Sequence, residues 1–269
     1  MKRNEKKEWI RTNKTKWVTL GIGLTLLVLG FVLTALTRGS ALAEDATNGG
    51  KIPFAVGLIM ILVGIVIPIA GALPEKKPTD VRTLSMAALF AALCYIGFSY
   101  CKIDIPVGME KTAFHLGNVF CVLAALFLGG LWGGMAGAVG MTIADLTTAY
   151  VTSAPKTFLL KLCIGLITGF VAHKIFKLSQ DKEERKIPLT AATAISCAAG
   201  MAFNIVADPL VGYFYKMYIL GVPQEAASIW AKIGAVTTSV NAVVAVIAAT
   251  LLYVALRKAM KRTNLLPKL

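Results

Sequence analysis

Long apolar runs, separated by short polar segments, recur along the whole chain. The first two extend over about Val18–Leu36 and Pro53–Leu73. Six more follow, at about Leu84–Tyr100, Ala113–Leu128, Leu131–Tyr150, Thr157–Phe176, Leu189–Tyr213 and Ile233–Leu256. Such runs approach or exceed the ~18 residues that a helix needs to cross a bilayer, and open sheets are excluded because their edge groups would stay unpaired in lipid. The pattern therefore predicts an all-α integral membrane protein of eight helices.

A charged segment bracketed by prolines, PEKKPTD (Pro74–Asp80), divides the chain. We assign residues 1–80 to a basic segment and a two-helix transmembrane hairpin, and residues 81–269 to a six-helix core. An alternative interpretation takes the basic start and Ala41-Leu42-Ala43 as a signal peptide that is cleaved. The first apolar run is longer than is usual in such peptides, and Arg38 separates it from the small residues, which favours the hairpin. The segment Pro223–Lys232 is a candidate early start of the last helix, lying at the membrane interface.

The chain is strongly basic, with 28 Lys and Arg against 14 Asp and Glu and a net charge of +14. In a soluble protein this balance would indicate a nucleic-acid partner. Here 57% of the residues are hydrophobic, and the basic residues lie in the short segments between apolar runs. With the N-terminus inside, the cytoplasmic segments hold twenty Lys and Arg and the outer segments seven, with Lys161 set aside as intramembrane. The positive-inside rule then predicts two cytoplasmic termini in the cell membrane, and no nucleic-acid binding.

The chain shows no motif of an enzyme, a cofactor site or a metal site. Its five cysteines are odd in number, form no CxxC pair and lie mostly inside apolar runs, so we interpret them as packing residues. It has no GxxxxGK[ST], HExxH or GxSxG sequence. We expect a protein that binds a molecule without its own ATPase.

Polar residues inside the predicted spans lie on one side of the membrane. At ~1.5 Å of rise per residue, all of them fall in the outer half of their helices. They are His115, Asn118, Asp145, Lys156, Lys161, Asn204, Asp208 and Asn241. A proton or ion relay would need polar groups across the full thickness. The distribution instead predicts a binding pocket that opens to the outside above an apolar floor.

Each of these residues also has a purely structural interpretation. Asp145 could form a buried ion pair with Lys156 or Lys161 that fixes helix packing, an interpretation of equal weight to ligand binding. His115 and Asn118 lie close enough to the surface to be solvated or to cap a helix.

The remaining polar residues leave similar alternatives. Asp208 precedes Pro209, and such a pair often ends or kinks a helix. Asn204 and Asn241 are candidates for a hydrogen bond with each other across helices. Aromatic side chains such as Tyr150 lie at the same level, where an interfacial belt is the usual reason and stacking on a flat ligand is the alternative. We therefore retain Tyr150 with the eight polar residues as candidate ligand-binding residues.

Small residues spaced four apart occur in two places. The first core helix carries the pairs Ala87/Ala91 and Ala88/Ala92, and the glycine-rich segment carries Gly130/Gly134 and Gly133/Gly137. Such pairs let helices approach to backbone contact, either inside the bundle or against another subunit.

The block from Phe114 to Phe170 carries a family resemblance. It contains HLGN, then FLGGLWGGMAGAVG, IADL and APKTFLLKLCIGLITGF. With the alanine face before it, this block resembles the substrate-binding S components of energy-coupling factor (ECF) transporters, in particular the riboflavin group. The resemblance extends over about Arg82–Arg257 and leaves out the N-terminal hairpin.

The resemblance implies a membrane subunit that binds a vitamin from outside, with riboflavin the first expectation and pyridoxine or a thiamine precursor next. It implies a transmembrane coupling subunit and two ATPase subunits as partners. The loop Cys101–Thr112 is implied to cover the ligand, and the alanine face Ala87, Ala88, Ala91 and Ala92 to contact the coupling subunit. The alternatives are a solitary secondary transporter or facilitator, and an intramembrane enzyme or assembly factor.

Overall fold

The computed structural model describes residues 81–107, 110–179 and 187–263, together with separate residues between Val18 and Leu36. The chain divides into two compact units, residues 1–78 with 214–223, and residues 79–213 with 224–269. The described residues between Val18 and Leu36 are helical, as the first apolar run predicts. The second helix of the predicted hairpin lies outside the described residues, so the total of eight helices stays a prediction.

Within residues 81–263, the described part of the core contains six α-helices, in agreement with the predicted number. They are α1 (Val81–Ser99), α2 (Gly117–Leu128), α3 (Gly130–Leu146), α4 (Ala154–Phe170), α5 (Leu189–Tyr218) and α6 (Gln224–Arg262). A 3₁₀ turn at Val151–Ser153 precedes α4, and a π-helical turn at Val171–Ile175 extends it. In the described part, α1, α4 with its two turns, α5 and α6 are long and apolar enough to cross a membrane.

An antiparallel β-hairpin joins α1 to α2 in a core that is otherwise helical, as the all-α expectation predicts. Strand β1 (Lys102–Val107) pairs with β2 (Glu110–His115), with Lys102 opposite His115. The predicted helix over Ala113–Leu128 was therefore wrong at its start. Strand β1 alternates apolar and polar residues with a period of two, which favours a strand over a helix, and Ala113–His115 pair with it as part of β2.

Three other helix ends can be compared with the sequence. Helix α3 ends at Leu146, four residues before the predicted Tyr150. Pro209 lies inside α5, which continues to Tyr218, so the Asp208-Pro209 pair does not end this helix. Helix α6 begins at Gln224, which agrees with the early start considered for the last span.

Helix α2 lies at the centre of the core and is buried along its whole length, from Gly117 to Leu128 except Phe120. It packs against α1, α3, α4 and α6, and β2 packs against α6. Helices α3 and α4 approach to backbone contact, since a Cβ added at Gly165 would overlap the backbone of Gly134. The glycines of the 130–140 segment thus serve packing inside the bundle, which was one of the two interpretations considered.

Candidate functional site

Asn241 on α6 holds strand β2 by its backbone. The backbone N–H of His115 donates to Asn241 Oδ1 at 3.0 Å, and Asn241 Nδ2 donates to the carbonyl oxygen of Ala113 at 3.0 Å. One turn earlier, the hydroxyls of Thr112 and Thr237 lie 3.2 Å apart. Both polar atoms of Asn241 are therefore bonded to β2, and the hydrogen bond to Asn204 considered above is not formed.

Asp208 on α5 connects three helices. Lys156 Nζ on α4 lies 2.8 Å from Asp208 Oδ1, and the Thr238 hydroxyl on α6 donates to Asp208 Oδ2 at 2.9 Å. Lys156 thus forms its ion pair with Asp208 rather than with Asp145. Because the pair is partly buried and doubly hydrogen-bonded, it fixes α4, α5 and α6 relative to one another at this level.

Asp145 and Lys161 are more completely buried than Lys156 and Asp208, and they are less completely paired. Both are buried, with exposed fractions of 2% and 6%. Lys161 is within electrostatic range of Asp208, Lys156 and Asp145. Among the described residues, no hydrogen bond involves Lys161 Nζ, and Asp145 Oδ2 has no hydrogen-bond partner. The structure therefore brings together two carboxylates and two ammonium groups, of which one of each is incompletely satisfied.

Two amides and an imidazole add further unpaired atoms. Asn118 Oδ1, Asn204 Oδ1 and His115 Nδ1 are buried and have no hydrogen-bond partner among the described residues. Asn118 follows Gly117, where an added Cβ would come within 3.1 Å of the Met141 side chain on α3, one turn before Asp145. Asn204 lies one turn before Asp208 on α5. Leaving one such buried polar atom unpaired costs ~1–3 kcal/mol of folding free energy. Several unpaired atoms grouped beside a charge cluster therefore indicate a binding site.

An aromatic and charged group lies at the outer edge of these residues. The Phe98 ring is in edge-on contact with two other rings. Its centre lies 4.6 Å from that of His115 and 5.5 Å from that of Tyr150. The Tyr150 hydroxyl donates to Asp104 Oδ1 at 2.9 Å, and Lys102 Nζ lies 4.9 Å from the Tyr150 ring centre.

The electrostatics of this edge keep both titratable rings uncharged. Burial, and to a smaller extent the nearby Lys161 ammonium, lower the pKa of His115 to about 3, so its imidazole is neutral. Burial raises the pKa of Tyr150, and its hydrogen bond to Asp104 adds to the rise, so the phenol stays a donor.

Sequence reasoning did not select Thr238 or Asp104 as individual site residues. Thr238 had a usable signal, because it lies three residues before Asn241 and so shares its helix face. Asp104 had none until the hairpin was known, since its reach to Tyr150 depends on the strand pairing.

The alanine face of α1 separates into two pairs. Ala87 is buried, and Ala91 lies against α3, where a Cβ at Gly140 would overlap the Ala91 backbone. Ala88 and Ala92 are exposed.

The half of the core opposite the hairpin is not wholly apolar, contrary to the floor we predicted. Thr168, Thr193, Ser196 and Thr250 are buried there. Thr193 and Ser196 donate to carbonyl oxygens of their own helix, at 2.8 and 2.7 Å. These small hydroxyls carry no charge, so the charged cluster remains confined to the hairpin side in the described part of the chain.

Comparison with known proteins agrees with these observations. A family model described as the ECF-type riboflavin transporter, S component, matches residues 79–258, which include the hairpin and most of the six helices. No curated protein and no solved structure matches. The family comprises substrate-binding components of transporters rather than enzymes, and S components bind a vitamin and work with the ECF module in the cell membrane. The chain therefore belongs to the family of ECF-type riboflavin transporter S components.

Proposed function

We propose that this chain is the substrate-binding subunit of an ECF-type importer and takes up riboflavin from outside the cell. The family match over residues 79–258 carries the proposal. The site supports it, because a cluster of buried, unpaired polar atoms lies beneath a hairpin at one end of the helices. On this proposal the positive-inside bias of the sequence places that end on the outside.

The unpaired atoms of the site indicate which hydrogen-bonding groups the ligand should carry. Asn118 Oδ1, Asn204 Oδ1 and Asp145 Oδ2 are acceptors, so the ligand has to donate hydrogen bonds. Lys161 is a donor that suits a ring carbonyl or ring nitrogen. Riboflavin offers both, with hydroxyls on its ribityl chain, an imide N–H and acceptors on its ring. A phosphorylated flavin adds negative charge and further acceptors, which the acceptor-rich site disfavours.

The first experiment identifies the ligand directly. The purified protein is extracted and the extract is examined by mass spectrometry, and the emptied protein is titrated with riboflavin by flavin fluorescence. We expect bound riboflavin and a Kd in the nanomolar range, with riboflavin 5′-phosphate, pyridoxine and a thiamine precursor much weaker. A protein that is empty and binds none of these vitamins would refute the proposal. Tight binding of one of the other vitamins would keep the subunit role and change the substrate.

Transport is proposed to require a transmembrane coupling subunit and two ATPase subunits. The exposed pair Ala88 and Ala92 is the surface we propose for the coupling subunit, because small exposed residues spaced four apart allow close helix contact. Replacing both with leucine should abolish uptake in cells while leaving the riboflavin Kd within about twofold.

The inner pair provides the matched control. Leucine at Ala87 and Ala91 should instead lower the folded yield, since both pack inside the bundle. Undiminished uptake by the Ala88→Leu/Ala92→Leu variant would exclude this face. Uptake by the chain alone in liposomes, driven by an ion gradient, would favour a solitary secondary transporter instead.

A further inference from the structure

Three aromatic rings from three different helices meet at the end of the core opposite the hairpin. Phe90 on α1 stacks on Phe127 of α2, with the ring centres 6.0 Å apart and the ring planes inclined by 23°. Phe127 also contacts Tyr253 of α6, and the centres of these two rings lie 4.7 Å apart. All three side chains are buried. Phe90, Phe127 and Tyr253, which we call the aromatic column, therefore join α1 to α6 through α2.

Arg257 links the aromatic column to the segment that follows α4. It lies one turn after Tyr253 on α6, and its guanidinium is 6.0 Å from the centre of the Tyr253 ring. The same guanidinium donates to the carbonyl oxygen of Leu178 at 2.6 Å, and the Leu178 N–H donates to Ala172 O at 2.9 Å. Leu178 follows Lys177, whose φ of 50° is a left-handed conformation that residues other than glycine adopt at a cost. These bonds therefore hold the chain reversal after α4 against α6.

At the other side of the aromatic column, Phe90 supports α1 from behind its exposed alanine pair. Ala88 and Ala92 are each two residues from Phe90, so they lie ~160° away from it around the helix. Phe90 is buried, whereas both alanines are exposed. A face of small residues binds another helix only when the two backbones come into close contact, so a small displacement of α1 is enough to weaken the contact. The position of this face therefore depends on the packing behind Phe90.

We propose that the aromatic column, together with Arg257, positions α1 so that its Ala88 and Ala92 face binds the coupling subunit. Phe127, Tyr253 and Arg257 are then positioning residues for transport, although they act through α1 and belong neither to that face nor to the ligand site. The inference rests on the proposed function, since it assumes that the exposed alanine pair contacts a coupling subunit.

Tyr253→Leu tests this role, because it removes the ring between Phe127 and Arg257 and keeps an apolar side chain. Riboflavin uptake per folded molecule should fall by about tenfold, and co-purification with the coupling subunit and the ATPase subunits should fall with it. The riboflavin Kd should stay within about twofold. Tyr253→Phe keeps the ring and should restore both uptake and co-purification. Arg257→Met keeps the whole aromatic column and should lower uptake by only about threefold.

A buried leucine outside the aromatic column provides the matched control. Leu166 on α4 is buried, so Leu166→Ala should lower the melting temperature as Tyr253→Leu does, while uptake per folded molecule stays within about twofold of wild type. Equal uptake per folded molecule in the two variants would mean that Tyr253 contributes stability alone, and would overturn the proposal. A riboflavin Kd raised more than about fivefold in Tyr253→Leu would also overturn it, because the column would then serve the ligand site.

A measurement without vitamin or partner tests the effect on α1 directly. Hydrogen–deuterium exchange over residues 84–92 should be severalfold faster in Tyr253→Leu than in wild type or Leu166→Ala, and exchange over residues 113–115 should not change. Unchanged exchange over residues 84–92 would overturn the proposal even in a chain that binds riboflavin and its partners. Failure of the wild-type chain to associate with a coupling subunit would instead refute the proposed function, so the two failures are distinguishable.

Discussion

The two ends of the core handle their buried polar groups differently. At the hairpin end, the side chains of four helices meet in a charged cluster, and Asn118, Asn204 and Asp145 each leave an oxygen unpaired among the described residues. At the opposite end, polar groups mostly bond to backbone carbonyls. Arg257 donates to Leu178 O at 2.6 Å, and His173 Nε2 lies 3.2 Å from Ala125 O.

This difference indicates what each end is for. Bonds to backbone carbonyls need no outside partner. The buried oxygens of Thr168 and Thr250 are unpaired at the opposite end, but they belong to neutral hydroxyls, and no unpaired carboxylate or amide oxygen lies there in the described part of the chain. The hairpin end carries buried groups whose desolvation is not offset within the protein, which is typical of a site that a ligand completes. Replacing an unpaired group at the hairpin end should therefore weaken ligand binding without lowering stability, whereas replacing a paired group at the opposite end should lower stability without changing ligand binding.

Lys161→Met is the variant for which we expect the largest effect, and it tests whether ligand binding and stability are separable at the hairpin end. The ammonium is buried without a hydrogen bond in the described structure, so its removal should leave the melting temperature unchanged or raise it. Riboflavin affinity should fall by roughly 100-fold, because a charged hydrogen bond to the ligand is worth ~1.5–3 kcal/mol. Differential scanning fluorimetry and a fluorescence titration measure the two effects.

Lys156→Met serves as the control for that result, since Lys156 is paired with Asp208 and its loss should lower the melting temperature. If Lys161→Met unfolds the protein while preserving affinity, Lys161 is structural and the comparison fails.

Asp208→Ala tests the part of the hairpin end that is fully paired. It removes the acceptor for Lys156 and Thr238 and leaves the lysine partly buried without this partner. We expect the unfolding free energy to fall by ~2–3 kcal/mol. This loss is smaller than for a fully buried ion pair, because both side chains are partly solvated. Chemical unfolding in detergent measures it.

Asp208→Asn keeps an acceptor for the Thr238 hydroxyl and should retain a substantial part of that stability. Equal stability of the alanine variant and the wild type would show that the three helices do not depend on this contact.

Arg257→Met applies the same test to the opposite end. The variant loses the hydrogen bond to Leu178 O and the contact with the Tyr253 ring at 6.0 Å. A loss of ~1–2 kcal/mol in unfolding free energy is expected, with the riboflavin Kd unchanged. Lys258→Met is the control, because it removes a positive charge from the neighbouring exposed position. The difference in unfolding free energy between the two variants then reports the lost contacts of Arg257. A change in Kd of more than about threefold would mean that the two ends are coupled.

How much of this could be predicted from sequence depends on the range of the interactions. The six core helices followed from hydropathy, because each apolar run predicts its own helix, although four of the described ones are long and apolar enough to cross a membrane. The one-sided distribution of Asp145, Lys161, Asn204 and Asp208 was also visible, since helical rise converts position into depth. The partners were not: Asp208 bonds Lys156 across 52 positions of sequence, and only the packed bundle decides which carboxylate lies beside that lysine.

The hairpin shows a second limit of sequence reasoning. The stretch from Ala113 to His115 is apolar enough to extend the following helix, and hydropathy alone does not distinguish a strand from a helix there. The strand is favoured by contacts that are far away in sequence, since Asn241 supplies a donor and an acceptor to its backbone. Asn241 therefore looked like a ligand residue until the hairpin had been placed.

The smallest expected effect concerns His115 and acid. Burial lowers its pKa from 6.5 to about 3 in the folded protein, so below pH 6.5 the unfolded state binds a proton that the folded state excludes. The stability contributed by the neutral imidazole is thus fully present above pH 6.5 and declines as the pH falls from 6.5 towards 3.

Between pH 7 and pH 5.5 this linkage amounts to ~1 kcal/mol, and it should disappear in His115→Gln. Unfolding free energies of both proteins at the two pH values provide the measurement, and the difference between their slopes isolates His115 from the other titrating groups. Equal slopes would mean that water reaches the imidazole, and that the hairpin end is more open than its buried contacts indicate.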